Sequence, residues 1–301
     1  MPASTAQLRR LIALGLSLAL LLLSAGCATT ATPGPTSTPG PTTTPTAGPT
    51  ETPLIDHPTD PTTVILRLEE GGGFVPISFL VTQAPSFSLF GDGTVIYRPV
   101  EPPDAGVALG PPPFLRASMD EAQVAALLAF ALNEGGLGLA RAHYENANVA
   151  DAPSTIFTIR ANGLDKTVDV YALGMEVPGG QDAGARAAFL GLAERLRDFA
   201  AEVKAGRATD QGVYDPPAYR AVLTEQNGVP GEVRDWPWSD LAPEDFTPRG
   251  QFSQRTAILT PAQAKALSDT PAGGLYSVSV LGPDRAPYVI ALRPLLPDEE
   301  E

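Results

Sequence analysis

Few side chains in this 301-residue chain are equipped for chemistry. Cysteine occurs once, at Cys27, so no disulfide can form within the chain and thiol chemistry would rest on that residue alone. Histidine occurs twice. His57 stands in a threonine- and proline-rich stretch and is read as incidental, which leaves His143 as the histidine of the folded part. A zinc site would need His143 together with acids such as Glu145 or Asp151. A Ser-His-Asp site would also have to run through it, yet no Gly-x-Ser-x-Gly turn occurs. The plainer expectation is a loop histidine beside Tyr144. Lysine stands only at Lys166, Lys204 and Lys265, with no Ser-x-x-Lys pattern. Adjacent acids at Glu69-Glu70 and Glu244-Asp245 keep a carboxylate-dependent hydrolase of the glycosidase kind open, although such pairs are ordinarily surface. Trp236-Pro237-Trp238 presents rings that either stack on a sugar or protein partner or pin an irregular loop to the core. No catalytic residue, metal ligand or cofactor is assigned, and Trp236 and Trp238 form the candidate partner surface.

The N-terminus addresses where such a protein works. Arg9-Arg10, the apolar run Leu11 to Leu23 and the small residues Ser24-Ala25-Gly26 describe a secretory signal over residues 1–26, too short to span a bilayer. The end of that stretch, Leu23-Ser24-Ala25-Gly26-Cys27, resembles the lipobox of bacterial lipoproteins. In a lipobox the cysteine receives a diacylglyceryl group before cleavage and further acyl chains of the palmitate class afterwards. The usual leucine three places before the cysteine is here Ser24, with Leu23 one place earlier. The resemblance implies lipidation at Cys27 and an extracytoplasmic protein held on the outer leaflet of the cell membrane or on a membrane facing the periplasm. Several acyl chains, at about 0.8 kcal/mol per buried CH₂, make such anchoring durable. The alternatives are an ordinary secreted protein and an uncleaved anchor. Arg9-Arg10 also suggests twin-arginine export, which Leu11-Ile12-Ala13 do not continue.

Charge narrows the partners. The formal charge is -14, and removal of residues 1–26 makes it -16 because two arginines and no acids leave with them. An acidic chain of this kind argues against nucleic acid and against anionic headgroups, and is equally what solubility alone requires. Residues 27–62 then form the lipidated cysteine and a tether, with Thr32-Pro33-Gly34-Pro35-Thr36 repeated as Thr38-Pro39-Gly40-Pro41-Thr42. With almost nothing to bury, the tether is expected to be disordered and polyproline-like, with a contour of order 100 Å at about 3.1 Å per residue.

The remaining residues, roughly 240 in number, suffice for one large or two small domains. The reading divides them into an α+β domain at 63–205 and a second α+β subdomain at 206–301, with a candidate boundary near Asp215-Pro216-Pro217. A strand at Val64 to Leu68 runs into Gly71-Gly72-Gly73, read as a hairpin or bulge connection because no phosphate-loop lysine follows. Phe87–Phe90 and Thr94–Tyr97 flank Gly91-Asp92-Gly93, the clearest hairpin, in which Asp92 is a turn residue. Ser118 and Glu121 read as the capping box of a helix running to about Asn133, with Val124, Leu127, Leu128, Ala131 and Leu132 buried. Strands near Thr155–Ile159 and Thr167–Ala172 join at Asn162-Gly163, and one long helix is expected from Ala183 to Lys204. Strands follow near Tyr219–Thr224 and Arg255–Leu259, then a helix capped by Thr260-Pro261 and a hairpin around Gly282-Pro283-Asp284. The helical match of Ala122-Gln123 to Leu127 with Ala262-Gln263 to Leu267 is either a diverged duplication, giving two similar halves, or chance. The expected fold is α+β, with mostly antiparallel sheet and amphipathic helices packed on one face.

Phe87-Ser88-Leu89-Phe90-Gly91-Asp92-Gly93-Thr94-Val95-Ile96-Tyr97, the capped helix, Gly135, Tyr144, Asp151-Ala152-Pro153-Ser154-Thr155 and Lys166-Thr167-Val168 to Tyr171 resemble a family of small bacterial envelope domains of unknown function. The resemblance spans roughly residues 64–175. Leu292-Arg293-Pro294-Leu295-Leu296-Pro297-Asp298-Glu299 resembles the end of longer uncharacterised bacterial lipoproteins. Members of the small-domain family often carry a cysteine pair before the first hairpin, where this chain has Ala84-Pro85-Ser86. The resemblance therefore implies no redox or metal role and lends no catalytic residue. The expected function is a membrane-anchored binding or interaction module with an envelope protein or polysaccharide as partner, the alternative being the carboxylate-dependent envelope hydrolase.

Overall fold

A computed structural model describes residues 55–75, 80, 82–100, 110–175, 179–180, 182–226, 233–249, 254–268 and 271–299. Residues 1–26, Cys27 and the tether up to residue 54 lie outside the described residues. All of the described residues belong to one compact unit, Glu51–Glu301. It is α+β, with two mostly antiparallel sheets and four α-helices among the described residues.

Period-two burial builds the first sheet. Its strands are β1 (Val64–Gly72), β2 (Phe87–Phe90), β3 (Thr94–Tyr97), β4 (Leu115–Ser118), β5 (His143–Tyr144), β6 (Pro153–Ala161), β7 (Leu164–Tyr171) and β8 (Thr209–Val213). They lie in the order β5-β7-β6-β1-β2-β3-β4-β8, antiparallel throughout except for β5 against β7. Leu66, Leu68, Phe87, Leu89, Val95 and Tyr97 point to one face, where α1 (Glu121–Leu132), α2 (Ala183–Arg197) and α3 (Phe199–Lys204) cover them with Val124, Leu128, Phe189, Leu192 and Phe199. Each such side chain removed from water contributes roughly 1.5–3 kcal/mol. Val64, Phe90 and Ile96 point to the other face and meet Phe114, Tyr214 and Leu296, so β1–β3 are buried on both sides.

The second sheet contains β9 (Tyr219–Glu225), β10 (Val233–Asp235), β11 (Thr247–Arg249), β12 (Gln254–Leu259), β13 (Leu275–Leu281) and β14 (Pro287–Pro294), in the order β10-β13-β14-β9-β12-β11. Its core joins Tyr219, Leu223, Leu259, Ile290 and Leu292 to Ala264 and Leu267 of α4 (Pro261–Leu267). After β14 the chain crosses back as a strap. Leu295 N–H donates to Ala218 O at 3.0 Å, Leu296 enters the second core of the first sheet, and Arg67 donates to Asp298 at 2.6 Å.

The turns follow local chemistry. Asp92 accepts from Thr94 N–H at 2.9 Å in the β2–β3 turn, and Asn162 and Gly163 both take positive φ, 53° and 74°, as a two-residue hairpin requires. Other expectations move. The box that caps α1 is Asp120 with Gln123, not Ser118 with Glu121, because Ser118 is used as the last residue of β4 opposite Thr94. The expected single helix 183–204 breaks at Asp198 (φ -95°, ψ 46°), which separates α2 from α3. The stretch after residue 205 is not yet the second subdomain, since β8 pairs with β4 and Tyr214 is buried in the first sheet's second core. At the other end, Ile55–Thr62 is ordered against the fold and does not continue a free tether. Ile55 packs on the main core, and Asp56 O accepts from Asn162 N–H at 2.7 Å.

The shared Ala-Gln of the two capped helices has a physical reason, since Gln123 and Gln263 are each the N3 partner of a capping box. The wiring after those helices differs between the sheets. In the first, the leading strand of the following hairpin (β6) pairs with β1, whereas in the second the trailing strand (β14) pairs with β9.

Candidate functional site

The residues singled out for chemistry are scattered over the fold. His143, on the short edge strand β5, has Nε2 2.7 Å from Glu145 and Nδ1 3.5 Å from Asp169. The hydrogen bond to Glu145, with the Asp169 charge adding, raises its pKa above the ordinary 6.5. A ring held by carboxylates at both nitrogens favours the imidazolium and has no lone pair for a metal. Asp151 takes positive φ (58°) in the turn before β6, and its carbonyl accepts from Phe74 N–H at 3.3 Å. Among the described residues no group of three or more His, Asp or Glu side chains converges as a metal site. The other histidine is not in a free tether. The His57 side chain is 2% exposed, with Nδ1 2.7 Å from Pro58 O and Nε2 3.3 Å from the Glu121 carboxylate at the start of α1.

The candidate acid pairs do not face a common space. Glu70 reaches Arg197 of α2 on the helical side of β1, with Nε at 3.0 Å. Glu69, one residue earlier, lies among Arg67, Asp298, Glu299 and Arg293 on the strap side, where burial pushes its carboxyl above the ordinary range and the arginines oppose that shift. Asp245 accepts from Ala242 N–H at 2.7 Å and so closes a 3₁₀ turn with Glu244. Gly71-Gly72-Gly73 carries no phosphate-loop geometry: Gly71 and Gly72 pair with Ser154 and Pro153 of β6.

Trp236 and Trp238 pack edge to face, 5.2 Å apart at 82°, with Phe246 and Tyr288 beside them. Trp238 is 7% exposed and donates to Gln263 O at 2.9 Å, while the partly buried Trp236 donates to Leu241 O at 2.7 Å. Both indoles therefore tie the irregular stretch after β10 to the core of the second sheet, with only part of Trp236 left at the surface.

A cavity of about 210 Å³ lies where the ends of β1, β2 and β3 meet the paired ends of β13 and β14. Its wall is mixed. Arg98, Arg293, Gln83, Thr82, Ser86 and Glu70 bring polar groups, while Ala84, Pro111, Leu275 and Leu292 bring apolar surface. Arg98 is fixed by Pro112 O at 2.7 Å and Gly273 O at 3.2 Å, with its guanidinium carbon 4.0 Å above the Phe114 ring. Arg293, 5% exposed, forks onto Glu299, with Nη1 to Oε2 at 2.9 Å and Nη2 to Oε1, and Glu299 also accepts from Leu296 N–H at 2.8 Å. Arg293 Nε has no hydrogen-bond partner among the described residues. Backbones touch at the rim: a Cβ on Gly273 would stand 2.1 Å from Pro111 O, and one on Gly110 2.3 Å from Gly274 O. A half-apolar cavity with fixed guanidinium groups can bind a small molecule, and among the described residues of its wall no carboxylate pair or nucleophile–base pair points to turnover.

Tether and cavity occupy opposite ends of the first sheet. Pro58 and Asp60 press on Gly91 in the β2–β3 turn, where a Cβ would stand 2.5 Å from Pro58 O, and Thr63 leads directly into β1. Glu70 lies near the far end of β1, roughly 20 Å away at about 3.3 Å per residue. Ser86 precedes β2 and Arg98 follows β3 at that same far end.

No protein-family model, curated protein or solved structure matches the chain. Local residue pattern could not have indicated the cavity, since its wall is drawn from six separate segments between Glu70 and Arg293.

Proposed function

We propose that this protein is an extracytoplasmic lipoprotein, anchored through Cys27, that works as a binding module and takes its ligand in the cavity between the two sheets. One observation carries the reading: the cavity lies at the end of β1–β3 opposite Pro58 and Asp60, so the chain that leads into β1 does not cover it. The acidic composition and the lipobox-like end of the signal support the same reading. The partner is an envelope component, and the protein holds it without chemical change.

The test has two parts on the full chain. Mass spectrometry of the N-terminal peptide is expected to give an acylated Cys27 as first residue, and an unmodified Cys27 thiol or a peptide continuing into Leu23 would remove the anchor. Incubation with envelope polysaccharide and with envelope extract is expected to give retention of a specific component without turnover. Turnover abolished by changing one acid to its amide would replace binding with hydrolysis.

A further inference from the structure

Resting on the reading of the cavity as the binding site, we infer that its ligand is a small uncharged organic amide with an apolar body. The volume sets the size. An apolar cavity of about 150 Å³ holds a benzene ring, so one of about 210 Å³ takes on the order of ten non-hydrogen atoms.

The charges of the wall disfavour an ion. Its charged side chains among the described residues are Glu70, Arg98 and Arg293, and each is already engaged. Glu70 is held by Arg197, with Nε at 3.0 Å, and Arg293 is forked onto Glu299, with Nη1 at 2.9 Å. Arg98 is committed to Pro112 O and Gly273 O and lies over the Phe114 ring. A carboxylate would enter among guanidinium groups whose bonds are made, and an amidinium or ammonium would meet two arginines. Either ion would give up its water without gaining a counter-charge of its own.

What the wall offers instead is neutral. The Gln83 side chain lines the cavity, its Oε1 lies 3.9 Å from where a Cβ on Gly71 would stand, and its amide makes no hydrogen bond among the described residues. A side-chain amide holds donors and an acceptor in one plane, and a second amide satisfies both together while staying uncharged at neutral pH. A hydrocarbon of the same size would strip water from Gln83 and leave it unpaired, a cost that an amide avoids. The Ser86 hydroxyl donates to Leu68 O at 3.3 Å and keeps lone pairs that can accept from the ligand N–H. Ala84, Pro111, Leu275 and Leu292 supply the surface for a ring or short alkyl body.

The probes are benzamide, benzoate and benzamidinium, planar molecules of nearly one shape that are neutral, negative and positive. Each is titrated into the full chain and followed by the NMR shifts of the Ala84, Leu275 and Leu292 methyl groups. Benzamide is expected to bind about tenfold or more tighter than either ion. Ala84→Phe, which fills the cavity and leaves Gln83 in place, is expected to abolish the shifts. Gln83→Glu, which keeps the shape and exchanges the amide for a carboxylate, should reverse the order so that benzamidinium binds tighter than benzamide, with the apolar wall still holding the ring. Should Ala84→Phe fail to fold, the three-probe comparison and Gln83→Glu still decide. Equal or tighter binding of either ion in the cavity of the unaltered chain would overturn the ligand class and leave the cavity as a site. An unchanged order in Gln83→Glu would remove Gln83 as the group that reads the ligand and overturn the inference. Absence of methyl shifts with every probe at millimolar concentration would overturn it together with the site, and shifts that persist in Ala84→Phe would place the probes elsewhere and overturn it as well.

Discussion

Glu202 shows how a single buried side chain can hold a turn of the chain. Its carboxylate accepts from Arg207 Nε at 2.6 Å and Nη2 at 2.8 Å, and from Arg195 Nη2 at 2.9 Å. The Arg207 bonds, with Arg195 adding and burial opposing, hold its pKa down to about 2 from the ordinary 4.5. A folded-state value below the unfolded one gives stability that is complete above pH 4.5 and lost as pH falls through about 2. Glu202→Gln should therefore cost about 2 kcal/mol at pH 7 and much less near pH 2, measured by urea unfolding at both values. An equal cost at the two pH values would show that packing, not charge, is lost. His143 has the opposite sign. Its raised pKa means that its contribution is complete below pH 6.5 and fades as pH rises through the folded value. Half-exposed pairs such as this contribute little to stability, so the informative measurement is an NMR titration. The His143 midpoint should lie above 6.5 and drop when Glu145→Gln removes the larger of its two supports; an unchanged midpoint would give Asp169 that part.

Local chemistry explains the elements that sequence made legible, and long-range pairing explains those it did not. The turns at Gly91-Asp92-Gly93 and Asn162-Gly163 and the buried stripe of α1 depend on neighbours a few residues away, so their residue types announce them. The capping box was misplaced because Ser118 and Asp120 are both capping residues, and only the ladder between β3 and β4 decides which of them is a strand. Strand β8, Thr-Asp-Gln-Gly-Val, is exposed along its whole length and has no alternation to reveal it; backbone pairing with β4 alone defines it. The contact between the loop before β4 and the turn before β13 was equally hidden, since Gly110 and Gly273 are conspicuous only once their backbones meet. Gly273→Ala, whose Cβ would lie 2.1 Å from Pro111 O, should force that contact apart and lower stability by about 3 kcal/mol. Thermal unfolding monitored by circular dichroism measures this, and a wild-type midpoint would mean that the contact is loose in solution.

At the scale of the whole molecule, the chain's last residues join what the sequence divided. The strap from Leu295 to Glu299 carries Leu296 into the first sheet, binds Arg67 through Asp298 and closes on Arg293 through Glu299, while Tyr214 donates its buried hydroxyl to Leu295 O at 3.0 Å. The boundary expected near residues 206–217 therefore lies in chain that is paired with β4 and pinned by the buried Tyr214. Limited proteolysis of the full chain should spare Thr209–Tyr214 as long as the fold is intact, and early cleavage there would mean that β8 and the strap do not hold the sheets together. The cavity was illegible in sequence because six distant segments form it, whereas the anchor-like pattern at the N-terminus is local and yields an expectation that the N-terminal peptide tests. The most direct measurement sets one end of the first sheet against the other in the intact protein produced in cells. A photo-reactive benzophenone side chain is placed by Gln83→p-benzoylphenylalanine at the cavity wall or by Asp92→p-benzoylphenylalanine in the turn beside the docked tether, and adducts formed in living cells are identified by mass spectrometry. A module that binds through its cavity predicts a specific adduct at position 83 and none at position 92. Adducts confined to position 92 would contradict it.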